Sequence, residues 1–223
     1  MTQTIMICIA SAIGLLSTAA AYQYLSHRVD GKCQLGEFFR LRLELYPLLT
    51  MLVALLASAF VFVYCFVRSG DSFLRALMNA EVMLWLFVIG YIDLRERIIP
   101  NSVIGLGLLG WVVLVALEIF LGGTSWNKLL AFSALGGLIC GGILFVLALI
   151  MKSGLGMGDV KLFFVLGLLY GLMDTYGIFL FTIIPMGIFA IALLVLKKAN
   201  RKALIPMAPF VLIGFFLSII AGM

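Results

Sequence analysis

The feature that most constrains this chain is a succession of long apolar runs, nearly free of charge and separated by short loops that hold most of the basic residues. A run of about 20 apolar residues crosses a bilayer as a helix, and each backbone amide then finds its partner inside the same segment. The runs are Thr4–Leu25, Leu45–Val67, Ala76–Ile92, Ser102–Leu121, Leu129–Met151, Val160–Met173, Tyr176–Leu196 and Pro209–Gly222. The sixth and the last are short for full crossings. The pattern predicts an all-α, polytopic membrane helical bundle of about eight spans (six to eight), forming a single integral membrane domain over residues 1–223. A β-barrel is excluded because the runs are continuous rather than alternating.

Composition narrows the function classes. Of 223 residues, 65% are hydrophobic and only 11% charged, against roughly a quarter charged in ordinary soluble domains. A water-soluble globular enzyme and a disordered chain are both excluded. The net charge of +5 does not point to nucleic acid, because the basic residues sit in loops between apolar runs. Membrane lipid is the expected surrounding. Of the four cysteines, Cys8, Cys65 and Cys140 lie inside apolar runs and no CxxC pair occurs. Neither a zinc ribbon nor a disulfide framework is supported. Ala19 and Ala21 resemble a signal-cleavage site. No Lys or Arg precedes the first run, however, so it reads as a retained helix.

Charge also sets an orientation. The loops after the first, third, fifth and seventh runs carry Arg28, Lys32, Arg40, Arg42, Arg95, Arg97, Lys152, Lys161, Lys197, Lys198, Arg201 and Lys202. The opposite side carries Arg68, Arg75 and Lys128. The positive-inside rule places the first group in the cytoplasm and both termini outside.

Two carboxylates lie where an apolar run meets a cytoplasmic loop. Asp93 stands in Gly-Tyr-Ile-Asp-Leu-Arg-Glu-Arg-Ile-Ile-Pro-Asn (Gly90–Asn101), and Asp159 in Gly-Leu-Gly-Met-Gly-Asp-Val-Lys-Leu (Gly154–Leu162). Carboxylates near a membrane are costly and are functional candidates by default, although each alone also suits a solvated loop or a helix cap. Gly154, Gly156 and Gly158 alternate before Asp159, and such a backbone presents no side-chain wall to an approaching strand. A protease that holds its substrate by strand addition needs such a place. No Gly-Lys-Ser/Thr follows, so a P-loop is excluded. Two carboxylates at one face suggest an aspartic dyad that shares one proton. Its ionised member takes a proton from water while its protonated member polarises the peptide carbonyl. His27 is the sole histidine, too few parts for a Ser–His–Asp triad or a zinc protease.

At these residues the sequence resembles the type 4 prepilin peptidase family, the bacterial GxGD membrane aspartyl proteases. Asp93-Leu94-Arg95 followed by Ile99-Pro100-Asn101 resembles the first aspartate segment. Gly156-Met157-Gly158-Asp159-Val160-Lys161-Leu162 resembles the second. Ile205-Pro206-Met207-Ala208-Pro209-Phe210 resembles the final cytoplasmic loop, and Gly31-Lys32-Cys33 with Leu45-Tyr46-Pro47-Leu48 resembles the end of the first. The resemblance implies a catalytic pair at Asp93 and Asp159 in the bacterial cytoplasmic membrane, with the active site at the cytoplasmic face. It implies prepilin or pseudopilin substrates, whose short basic leaders are removed before the apolar helix. Many members also methylate the new N-terminus with S-adenosylmethionine, and carry two CxxC pairs that hold zinc in a longer first loop. Here residues 26–44 form a reduced loop with one cysteine, Cys33. One thiolate does not close a zinc site. No metal is therefore expected, and S-adenosylmethionine only if methylation is retained.

Further residues carry smaller expectations. Gly156 and Gly158 are expected to line the substrate strand, and Lys161 and Arg95 are placed to tune the dyad. For Arg95 and Arg97 anchoring at headgroups competes with that role, and for Lys161 snorkelling does. Asn101 and Ser102 are expected to cap the fourth helix, with Pro100 setting the entry turn. Glycines 105, 107, 110, 136, 137, 141 and 142 read as sites of close helix packing. Two other readings stay open: a preflagellin-type or other GxGD leader peptidase, and a non-catalytic membrane scaffold or small transporter.

Overall fold

The computed structural model describes residues 45–69, 72–120, 126–151, 156–196 and 205–222. The expected first run, Thr4–Leu25, and the reduced loop over residues 26–44 lie outside them. Among the described residues every regular element is helical and there is no strand. The elements are α1 (Leu45–Val63), continued by a π-helical turn (Tyr64–Ser69), α2 (Phe73–Glu96), α3 (Asn101–Phe120), α4 (Trp126–Met151), α5 (Met157–Val195) and α6 (Ala208–Ile220). Phe73–Glu96, Asn101–Phe120, Asn127–Ile150 and Met157–Val195 are long and apolar enough to cross a membrane. The described part of the chain is all-helical, with helices suited to crossing a membrane.

The chain divides into two compact units at Val88/Ile89, within α2. In the first unit, Ser72 starts α2: its side-chain oxygen accepts from the Arg75 N–H at 3.3 Å, and its carbonyl accepts from Ala76. That is the standard use of a serine ahead of a helix, and it begins α2 three residues before the apolar run does. Phe73 meets Phe62 edge-on, with ring centroids 5.6 Å apart. The buried Asn79 donates from Nδ2 to Cys65 Sγ at 3.4 Å, so a polar pair stands between the π-helical turn and α2.

The second unit holds both acidic motifs, and its architecture turns on α5. A straight helix of 39 residues would be about 58 Å long, roughly twice the hydrocarbon thickness. The chain instead reverses at Gly171, whose φ of 72° and ψ of −170° are not helical. Two contacts show the reversal. Thr175 Oγ1 donates to the Leu166 carbonyl at 3.1 Å, although nine residues of straight helix would hold them about 13 Å apart. Phe163 and Phe179 meet edge-on at 5.4 Å. α5 is thus a helical hairpin, with one arm on each side of Gly171. The sequence divides the two runs at residues 174 and 175, but no breaker stands there. The structure turns earlier, at the residue whose missing side chain allows it.

Small residues let the hairpin pack. A Cβ on Gly136 or Gly137 of α4 would run into the backbone of Gly167 or the side chain of Leu168, and one on Gly141 would meet Phe164. These glycines therefore permit the close helix crossing expected of them. α6 lies along the second arm. Gly214 abuts Thr182 and Ile178, and Phe210 meets Phe189 at 5.4 Å. Phe215, fully buried, meets Tyr170 beside the reversal.

Candidate active site

Asp93 sits in the last turn of α2 rather than in a loop. Its carbonyl accepts from the Arg97 N–H at 2.9 Å, and Arg97 adopts a left-handed φ of 55°. A left-handed residue bonded back in this way is a common helix stop, usually glycine. An arginine there stores about 1–2 kcal/mol of backbone strain. The helix therefore ends at Glu96, three residues after Asp93, and Ile98, Ile99 and Pro100 lead directly into α3.

The Asp93 side chain is 6% exposed, and its Oδ2 accepts from the backbone N–H of Ala208 at 3.0 Å. The sequence around Ala208 explains why that amide is available. Pro209 has no N–H, and the amides of Phe210 and Val211 both turn back to the Met207 carbonyl, at 2.9 and 3.1 Å. The Ala208 amide, at the positive end of α6, is turned to a carboxylate, a favourable partner at a helix N-terminus. One turn before Asp93, Gly90 leaves room for Pro209, whose Cα would lie 3.4 Å from a Cβ there. The face of α2 that carries Gly90 and Asp93 thus meets Ala208 and Pro209.

Asp159 lies in the first turn of α5, with Gly156 as the residue before the helix. The Gly156 carbonyl accepts from the Asp159 N–H at 3.1 Å, and the half-buried Asp159 carboxylate reaches back to the Gly156 N–H. This is half of a capping box, since the glycine at the cap position has no side chain to complete the reciprocal bond. The chain leaving Asp93 packs on the start of α5 through Ile99 and Gly158, and the Asp93 charge is felt at Asp159.

The remaining candidates divide. Gly156 is exposed and extended (φ −74°, ψ 140°), as a strand-binding position requires. Gly158 is not extended. It is helical and faces Ile99, whose Cβ would stand 2.9 Å from a Cβ at Gly158. Its missing side chain admits Ile99 rather than a substrate, because the chain leaving Asp93 must pass close to α5. Lys161 Nζ donates to Asn101 Oδ1 at 2.8 Å. Asn101 is therefore an acceptor for Lys161, and the cap of α3 is Pro100, whose carbonyl accepts from Val103 and Ile104 at 3.1 and 3.2 Å. Arg95 lays its guanidinium 5.0 Å from the ring centroid of Tyr91.

Sequence reasoning missed Ala208 and Asn101 as partners. For Ala208 a signal exists: the Pro-x-Ala-Pro spacing leaves one amide of the α6 start without an internal acceptor. For Asn101 there is none, since its partner lies 60 residues away.

Helices of membrane-crossing length, with an aspartate in the last turn of one and in the first turn of another, define an integral membrane protein with acids at its helix ends. The sequence profile of the type IV leader peptidase family matches residues 80–191, half of the chain and the part that contains both aspartates. The chain belongs to this family. It is 27% identical over 188 residues to the prepilin leader peptidase/N-methyltransferase of Aeromonas salmonicida (strain A449), covering 79% of this chain and 58% of the relative. It is 28% identical over 168 residues to the protein of the same name from Bacillus subtilis (strain 168), covering 75% and 64%. The chain thus spans about three fifths of the length of these curated relatives. No solved structure matches it significantly.

Proposed function

We propose that the chain is an aspartyl endopeptidase that removes the short basic leader of type IV prepilin or pseudopilin precursors. The observation that supports this reading is that Asp93 and Asp159 both lie within the matched leader-peptidase segment, with the Asp93 charge felt at Asp159. In the proposed reaction the dyad holds one proton. The ionised carboxylate takes a proton from water, and the water oxygen bonds to the scissile carbonyl carbon. The protonated carboxylate donates to the carbonyl oxygen, and the intermediate collapses as a proton passes to the leaving amine. Gly156 offers an extended edge beside Asp159 for the substrate backbone.

The chemistry belongs at the cytoplasmic face of the bacterial inner membrane, in a bundle of about eight spans with both termini outside. The charge asymmetry of the loops supports that orientation. Cleavage needs no metal, and it should survive EDTA, because the reduced first loop holds a single cysteine, Cys33. Co-expression with a panel of prepilins and pseudopilins, followed on gels for the mobility shift of leader loss, tests the function. Cleavage by the wild type and none by Asp159→Asn is the expected result. No shift with any of them, at matched membrane levels, removes the peptidase reading and leaves a scaffold or transporter role. Cleavage of preflagellins alone transfers it to that class.

A further inference from the structure

Lys161 follows Asp159 by two residues, which places it about 200° away around the helix. Residues two apart on a helix do not face each other, so a direct contact that tunes Asp159 is not the natural role of Lys161. Its side chain reaches Asn101 Oδ1 instead, at 2.8 Å. One turn earlier, at position 158, the same helix face meets Ile99. Gly158 and Lys161 are three residues apart and so share a face of α5. Ile99 and Asn101 are alternate residues of the segment around Pro100. The start of α5 is therefore attached to this segment at two points, one apolar and one polar.

The segment is also the direct continuation of Asp93. α2 stops just before the left-handed Arg97, which is four residues past Asp93, and α3 begins at Asn101. The path from one carboxylate to the other runs from Asp93 through the Arg97 turn to Ile99 and Asn101, across to Gly158 and Lys161, and back to Asp159. We propose that Asn101 and Lys161 form a clamp that sets the separation of the two carboxylates, with Lys161 a positioning residue of the peptidase. Its substrate-independent part is structural: without the clamp, the first turn of α5 loses its polar attachment to the Asp93 segment and keeps the apolar Ile99–Gly158 contact.

This role rests on the leader-peptidase reading, so two measurements are paired. The first is cleavage kinetics on a prepilin. A small misplacement of reacting groups costs about ten- to a hundredfold in rate. Lys161→Met, which keeps the stem and removes the donor, should lower kcat by about tenfold or more with KM unchanged. Asn101→Ala should do the same, and the double variant should be no worse than either. Lys161→Arg and Asn101→Asp keep donor and acceptor and should restore most of the rate. The second is the distance between spin labels at Leu94→Cys and Met157→Cys, both exposed positions, in a chain freed of its four native cysteines. Lys161→Met should shift or broaden that distance distribution, and Lys161→Arg should not. An unchanged distribution, or a rise in KM alone, overturns the clamp. If the wild type cleaves no prepilin, the peptidase reading fails and the label distances still decide the clamp.

Discussion

The backbone N–H of Ala208 holds Asp93 Oδ2 at 3.0 Å, joining the first amide of α6 to the last turn of α2. A carboxylate held by one oxygen loses its free rotation. A hydrogen bond to a charged group of this kind contributes about 1.5–3 kcal/mol. The bond also separates two functions of Asp93 that substitution can test apart, one as acid and one as acceptor.

Asp93→Asn and Asp159→Asn should each lower prepilin cleavage by roughly a thousandfold or more, and the double variant should be little worse than either, because paired groups act as a unit. Asparagine still offers an oxygen to the Ala208 amide, so Asp93→Asn should unfold in detergent near the wild-type temperature. Asp93→Ala leaves that buried amide without a partner, at a cost of about 1–3 kcal/mol. It should lose both activity and stability. Near-wild-type turnover in either asparagine variant would refute the dyad.

The two glycines beside Asp159 should fail in different ways. A Cβ at Gly158 would lie 2.9 Å from Ile99 Cβ, and overpacking of this kind costs about 1–3 kcal/mol. Gly158→Ala should therefore lower the unfolding temperature, Gly158→Val should lower it further, and Ile99→Gly, which removes that Cβ, should relieve both. A Cβ at Gly156 would stand 3.1 Å from Asp159 Oδ2 at an exposed position. Gly156→Ala should slow cleavage with little change in stability. Equal effects of the two alanines on both measurements would contradict these assignments.

The helices around the site were legible because lipid imposes a simple rule on them. A chain that cannot bond its backbone to water must form helices, and uncharged runs mark where. Asp93 and Asp159 stood out for the converse reason, as charges where charge is expensive. What was not legible depends on tertiary approach. Gly158 and Gly156 are alternate glycines in one motif, yet one packs on Ile99 and the other lies open. Only the path of the chain leaving Asp93 distinguishes them. Lys161 and Asn101 carry no periodicity that pairs them. The reversal in α5 was anticipated as a boundary between two runs, but apolar patterning continues across Gly171 and cannot locate it.

The loop charges predict which residues face outward. A cysteine introduced between Gly122 and Lys128 should react with an impermeant maleimide in intact cells, and one at Lys198 should react only after permeabilisation. The basis is the excess of basic residues on one set of alternate loops. Labelling of position 198 from outside would reverse the orientation assigned to the end of the chain.

Gly171 should be the least replaceable glycine of the hairpin. Its φ of 72° and ψ of −170° lie in a region that is essentially reserved for glycine, at a cost of about 1–3 kcal/mol for other residues. An added Cβ would also collide with the Phe132 ring of α4, which adds about 1–3 kcal/mol of overpacking. Gly171→Ala should therefore destabilise the detergent-solubilised protein by several kcal/mol, measured by thermal or denaturant unfolding. The two causes can be separated, since Phe132 is 56% exposed and its truncation removes little buried surface. In a Phe132→Ala background, Gly171→Ala should recover the steric part of the loss and keep the backbone part. Gly105 serves as the comparison, because a Cβ there meets nothing within 4 Å, and an alanine in mid-helix gains up to about 1 kcal/mol over glycine. A Gly171→Ala protein that unfolds with Gly105→Ala would mean that α5 does not reverse at this residue.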